Sequence, residues 1–122
     1  MAKIFVDLEG FGQLAVERTL ILNQRPQAFL CTNGKCHFLF FEIEYERDST
    51  TWLMAPIKTV IAKDLLNRQL SVQAPFLTRQ LRSSDDVFVV FKRCHVTKGA
   101  VRSAKKEDLK NLPENAVYKT TA

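Results

Sequence analysis

Gln27-Ala28-Phe29-Leu30-Cys31-Thr32-Asn33-Gly34-Lys35-Cys36-His37-Phe38-Leu39-Phe40-Phe41-Glu42-Ile43-Glu44-Tyr45 is the stretch on which the fold of this chain turns. Both central positions of a type I′ turn need positive φ, so Asn33-Gly34 predicts a two-residue β-hairpin. Its flanks are rich in aromatic and β-preferring side chains, as strands require. On that register Thr32 opposes Lys35 and Cys31 opposes Cys36, with Cβ atoms near the ~4 Å a disulfide needs. His37, Leu39, Phe41, Ile43 and Tyr45 share one face, while Cys36, Phe38 and Phe40 begin the other. Apolar residues on both faces predict a central strand over its first half.

Working outward, Gln13 to Leu22 alternates and reads as a half-buried antiparallel strand. Leu14, Val16, Leu20 and Leu22 lie on one face, and Ala15, Glu17, Thr19 and Ile21 on the other. Asn23 to Pro26 reads as a turn, and Trp52 to Ala55 as a short strand. Pro56 is placed to open a helix, with Ile57, Val60, Ile61, Leu65 and Leu66 on one stripe. Trp52 is expected to be buried against Ile57, Ile61 and Leu65 of that helix. Ser71 to Leu77 predicts a short helical turn, kept short by Pro75.

Asp86 to Cys94 predicts a strand whose Val87 to Phe91 run is buried on both sides. Lys98-Gly99 then reverses the chain into a last strand near Ala100 to Ser103, and Lys105 to Leu112 forms a weak helix ended by Pro113. The sum is one α+β domain over residues 1–122, with residues from about 114 to 122 frayed. It is a mainly antiparallel sheet of five to six strands with one amphipathic helix and short helical turns.

A chain of 122 residues, 46% apolar and 25% charged, has the size and balance of one ordinary globular domain. No apolar run approaches the ~18 residues of a membrane helix, and the N-terminus does not read as a secretory signal. A cytoplasmic location without membrane contact is therefore expected. The net charge of +5 is unevenly placed. Eight of the eighteen Lys and Arg but only three of the thirteen Asp and Glu lie in residues 92–122, leaving ten of each sign before them. Lys92, Arg93, Lys98, Arg102, Lys105 and Lys106 are thus the candidate contacts for a polyanion or an acidic partner, in one patch ~15–20 Å long. The plainer reading is a solvated edge whose lysines discourage strand-to-strand aggregation.

Catalytic and metal chemistry find little purchase. A zinc site would have to join Cys31, Cys36, His37, Cys94 and His95, but neighbours on a strand point to opposite faces. The same defect separates Cys94 from His95 and Cys36 from His37 as nucleophile–base pairs. Four glycines supply no phosphate-cradling loop. Glu42, Glu44 and Glu46 share strand parity, yet paired-carboxylate hydrolysis needs a cleft and contrasting environments; a solvated face explains them more simply. No catalytic residue, cofactor or metal is expected.

Gly10-Phe11-Gly12-Gln13-Leu14, the hairpin strands, Trp52-Leu53-Met54-Ala55-Pro56, the amphipathic helix and Leu70 to Phe76 follow one another in a suggestive order. The series resembles a small bacterial domain family of unknown function with a Leu-Gly-x-Leu start, a Trp-Leu-x-x-Pro strand end and a Leu/Phe-bearing turn after the helix. The resemblance spans roughly residues 10–80, with Phe11 where leucine is usual. It implies a bacterial or phage origin and brings no activity. The expected function is a non-enzymatic interaction module that binds and regulates or neutralises another protein. The alternative is nucleic-acid binding through the basic C-terminal quarter, against which Phe88 and Phe91 are expected to be buried rather than interleaved with the lysines.

Overall fold

The computed structural model describes residues 3–110 and 112. Seven strands run in chain order: β1 (Ile4–Leu8), β2 (Gly12–Asn23), β3 (Arg25–Thr32), β4 (His37–Tyr45), β5 (Ser49–Ile57), β6 (Phe88–Arg93) and β7 (Lys98–Ser103). Each pairs antiparallel with the next, and β1 pairs parallel with β7, closing a barrel. The expected α+β open sheet of five to six strands is therefore replaced by a mainly β, seven-stranded closed barrel. The added strand is Ile4–Leu8, whose Val6 and Leu8 alternate into the interior. Alternation marks a strand but does not show that two sheet edges meet, and closure removes exposed edges. Register shifts between Ile4 and Val6, between Val16 and Arg18, around Thr19 to Leu22, and between Glu42 and Glu44 bend and twist the ribbon toward closure. Helical structure is slight: α1 (Thr59–Leu66), α2 (Ala74–Leu77), a 3-10 turn at Arg79–Leu81, and α3 (Lys106–Leu109).

Two apolar layers hold the molecule. The barrel interior takes a residue or more from every strand: Val6, Leu8, Leu14, Phe29, Cys31, Phe38, Phe40, Trp52, Met54 and Val90, with Val101 packed against them. The second layer lies outside the barrel. There Leu30, Leu39, Phe41, Leu53, Ala55 and Ile57 meet Ile61, Ala62 and Leu65 of α1 and Phe76 of α2. This is why β3, β4 and β5 carry unbroken apolar runs: one parity faces the interior and the other faces the helices. Trp52 is buried as expected, but on the wrong side of the sheet for α1. It sits inside, edge-on to Phe5 at 5.2 Å, while Ile57, Ile61 and Leu65 belong to the outer layer.

The hairpin is present with a different turn. β3 and β4 pair Thr32 with His37 and Cys31 with Phe38, leaving a four-residue loop. The Asn33 carboxamide oxygen accepts from the N–H groups of Lys35 at 2.9 Å and Cys36 at 2.8 Å. Thr32 Oγ1 accepts from Gly34 N–H and donates to the Cys36 carbonyl. Gly34 is left-handed at φ 94°, and Asn33 is not among the left-handed residues. The asparagine side chain thus closes a wider turn in place of its own backbone. Cys36 is exposed in that loop and Cys31 is buried, so the expected opposed pair does not form.

Pro56 does not open the helix. It is buried within β5 opposite Phe38. Its carbonyl accepts from Ser83 N–H, on the side of β5 where β6 pairs only as far as Met54, so no ladder bond is lost there. The turn at Asn23 to Pro26 shrinks to Gln24, at φ 64°, because Pro26 belongs to β3. Lys98 and Gly99 likewise lie within β7, and the reversal is made before them, with His95 left-handed at φ 69°. Lys105 to Leu112 contains only the four residues of α3, and Pro113 and the residues from 114 to 122 lie outside the described part.

Candidate functional site

The six basic candidates are spread along β6, β7 and the entry to α3, and not all of them are open to a partner. On β6, alternation sends Phe88, Val90 and Lys92 inward and Phe91 and Arg93 outward. Lys92 is half-buried at the barrel mouth, its Nζ 5.8 Å from the centre of the Phe5 ring. On β7, Gly99 and Val101 face inward, so Lys98 and Arg102 stand on the outer face, Lys98 next to Arg93 and Arg102 next to Val89. The ladder sets Lys92 opposite Gly99 and Phe88 opposite Ser103. Lys98 therefore lies at the mouth end, while Arg102, Lys105 and Lys106 lie about four strand steps away, ~13 Å. Arg102 is already occupied: its guanidinium grips the Asp108 carboxylate in two bonds of 3.0 and 2.9 Å. Lys105 N–H donates to the same carboxylate at 2.7 Å, and these bonds hold Asp108 below its ordinary pKa.

Phe91 corrects the expected burial. It is 39% exposed on the outer face, opposite Thr51 and Ala100 and two residues from Arg93. A basic stripe with one exposed aromatic ring thus runs along β6 and β7.

A second feature was missed in the sequence. Where β1 approaches the β6–β7 turn, a cleft of about 670 Å³ opens. Lys3, Ile4 and Phe5 form one wall; His95, Val96 and Thr97 form the other; Lys92 and Val16 complete it. Ile4, Val16 and Val96 are between 38% and 46% exposed. No carboxylate is among the described residues lining the cleft. The nearest acid in sequence to Val16 is Glu17, whose Oε1 lies 2.8 Å from Nδ1 of His37. The wall residues are some ninety positions apart, so only barrel closure brings them together. The alternation of Ile4 to Leu8 was the available signal.

The remaining chemical candidates are dispersed or satisfied. The three cysteines are free, and burial together with the charge of Glu17 pushes the Cys31 thiol far up, away from the nucleophilic thiolate. Among the described residues, no three His, Cys, Asp or Glu side chains are grouped as metal ligands. Glu42 is buried and bound in two 2.9 Å bonds by Arg25, whose guanidinium stacks 3.7 Å from the centre of the Tyr45 ring. The expected equivalence of Glu42, Glu44 and Glu46 is broken by the shift between Glu42 and Glu44. Glu44 instead neighbours Glu46, which raises its pKa by hydrogen bonding and like charge.

Compared with protein-family models, with curated proteins and with solved structures, the chain matches none. No helix among the described residues is long and apolar enough to cross a membrane.

Proposed function

We propose that this chain is a non-enzymatic interaction module of bacterial or phage origin that acts in the cytoplasm by binding, and so regulating or neutralising, another protein. The cleft between β1 and the β6–β7 turn carries this reading. Exposed Ile4, Val16 and Val96 stand there beside Lys3 and Lys92, with no carboxylate among the described lining. Apolar contact supplies affinity at such a site, and the cations favour and steer an acidic partner. The test is affinity capture with the full chain from a nuclease-treated lysate of its host. A protein retained by the native chain and lost with both Val96→Asp and Lys92→Glu supports the reading. A protein retained equally by all three chains, or one released by nuclease, counts against it.

One observation favours a second reading. Exposed Phe91 beside Arg93 and Lys98 resembles the stacking and phosphate-gripping elements of single-strand binders. Four phosphates held by Arg93, Lys98, Lys105 and Lys106 would give a log–log salt slope of about −2.8 on a single strand. The expected result is binding no tighter than ~10⁻⁴–10⁻⁶ M at physiological salt. Anisotropy of a labelled oligonucleotide at two salt concentrations measures it. Submicromolar binding abolished by Phe91→Ala, or by Lys105→Glu with Lys106→Glu, would make nucleic acid the primary partner.

A further inference from the structure

The cleft has a backbone as well as a lining. Parallel closure of the barrel consists of Asp7 opposite Lys98 and Leu8 opposite Gly99, extended by Asp7 N–H donating to the Thr97 carbonyl at 2.9 Å. β7 begins at Lys98, whereas β1 begins at Ile4. Ile4 and Val6 therefore pair with β2 on one side, across the irregularity at Phe5, and have no described strand on the other. Across the gap the chain has turned away through His95, at φ 69°. An interrupted ladder beside a recess is a template for another strand, which barrels otherwise eliminate by closing.

We infer that the cleft receives an extended, acidic segment of the protein partner, which adds as a strand along Ile4 to Val6. This rests on the protein-binding reading and names the shape and charge of what is bound. Side chains alternate along an added strand, so apolar residues of one parity would meet Ile4 and Val96. Acidic residues of the other parity would meet Lys3 and Lys92. Neither nearby acid is among the lining residues: the Glu17 carboxylate is hydrogen-bonded to the His37 ring, and Asp7 lies in register with Lys98 beyond the cleft. A nucleic-acid strand would match the cations but not the exposed aliphatic side chains or the open ladder. A helix would leave the ladder unused.

The probe is a fluorescein-labelled eight-residue peptide alternating valine and glutamate. Three comparators accompany it: the lysine-for-glutamate peptide, the same acidic peptide N-methylated at alternate residues, and a labelled oligothymidylate. Anisotropy reads binding to the full chain, and amide NMR locates it. The acidic peptide is expected to bind and to shift the amides of Ile4, Phe5, Val6, Val96 and Thr97. Val96→Asp, Lys92→Glu and the N-methylated peptide are each expected to weaken binding by about tenfold or more, and the lysine peptide to bind more weakly still. Thermal melts of both variants, matched to the native chain, show that the barrel is intact; Val96 sits in an exposed turn and Lys92 at the mouth.

Four outcomes overturn the inference: equal binding of the N-methylated peptide, no peptide binding, preference for the oligothymidylate, or self-association of the chain abolished by Val96→Asp. If peptides fail while affinity capture still depends on Lys92 and Val96, strand addition falls and the protein-binding reading stands.

Discussion

Trp52 lies inside the barrel among Phe5, Phe29 and Phe40, with ring centres 5.2 to 6.2 Å away, and its indole N–H has no acceptor among the described residues. Two opposed terms follow. The ring supplies a large buried apolar area, while the unpaired donor carries a desolvation cost. Trp52→Ala is expected to lower unfolding free energy by ~3–5 kcal/mol. Trp52→Phe keeps most of the ring and removes the orphan donor, so it should stay within about 1.5 kcal/mol of the native chain. Denaturant melts of the two variants compare these effects directly. That Trp52 is core was legible from its apolar neighbours. Which core was not, because Leu53 and Trp52 point to opposite faces and both faces of β5 are covered.

At the scale of elements, α3 shows how little local sequence is needed to place a short helix. Its four residues are tied to β7 by Asp108, which joins Arg102 and the Lys105 N–H. The bonds lower the Asp108 pKa, so the folded state binds this proton less readily than the unfolded chain. The stabilisation is therefore present above the unfolded value near ~3.9 and disappears as pH falls through the lower folded value. An NMR titration of the Asp108 carboxyl carbon is expected to give a midpoint below that of an exposed aspartate, and Arg102→Ala to return it toward the ordinary range. The β3–β4 loop carries a complementary lesson. Asn33-Gly34 announced a reversal correctly, but its width depended on whether asparagine used its backbone or its carboxamide. Thr32 Oγ1 and the Cys36 carbonyl tip that choice toward the wider turn.

At the scale of the whole molecule, closure depends on Gly99. A Cβ there would lie 2.8 Å from Val6 Cγ2 and 2.9 Å from Leu8 Cδ2, inside ordinary contact, where β1 meets β7. Gly99→Ala is expected to cost ~1–3 kcal/mol through overpacking. Hydrogen exchange provides the spatial check: the Asp7 amide, bonded to Thr97, should lose protection before amides in the β3–β4 ladder. Uniform loss of protection would mean that the seam is not an independent weak point.

The sequence by itself determined the strands at residues 13–22, 37–45 and 88–93, the last two within the expected 35–45 and 86–94, that a reversal follows Thr32, that Trp52 is buried, and where the positive charge lies. Those features follow from side-chain alternation, turn chemistry and composition, which are local. Tertiary structure decided the barrel, the separation of inner and outer cores, the exposure of Phe91 and the cleft joining Lys3–Phe5 to His95–Thr97. The barrel and the cleft depend on β1 meeting β7, a contact between residues about ninety positions apart, whereas Phe91 is exposed because it lies outside the outer layer that α1 and α2 form with β3 to β5. The decisive term in the β1–β7 contact is the absence of a side chain at Gly99, which carries no periodic signal.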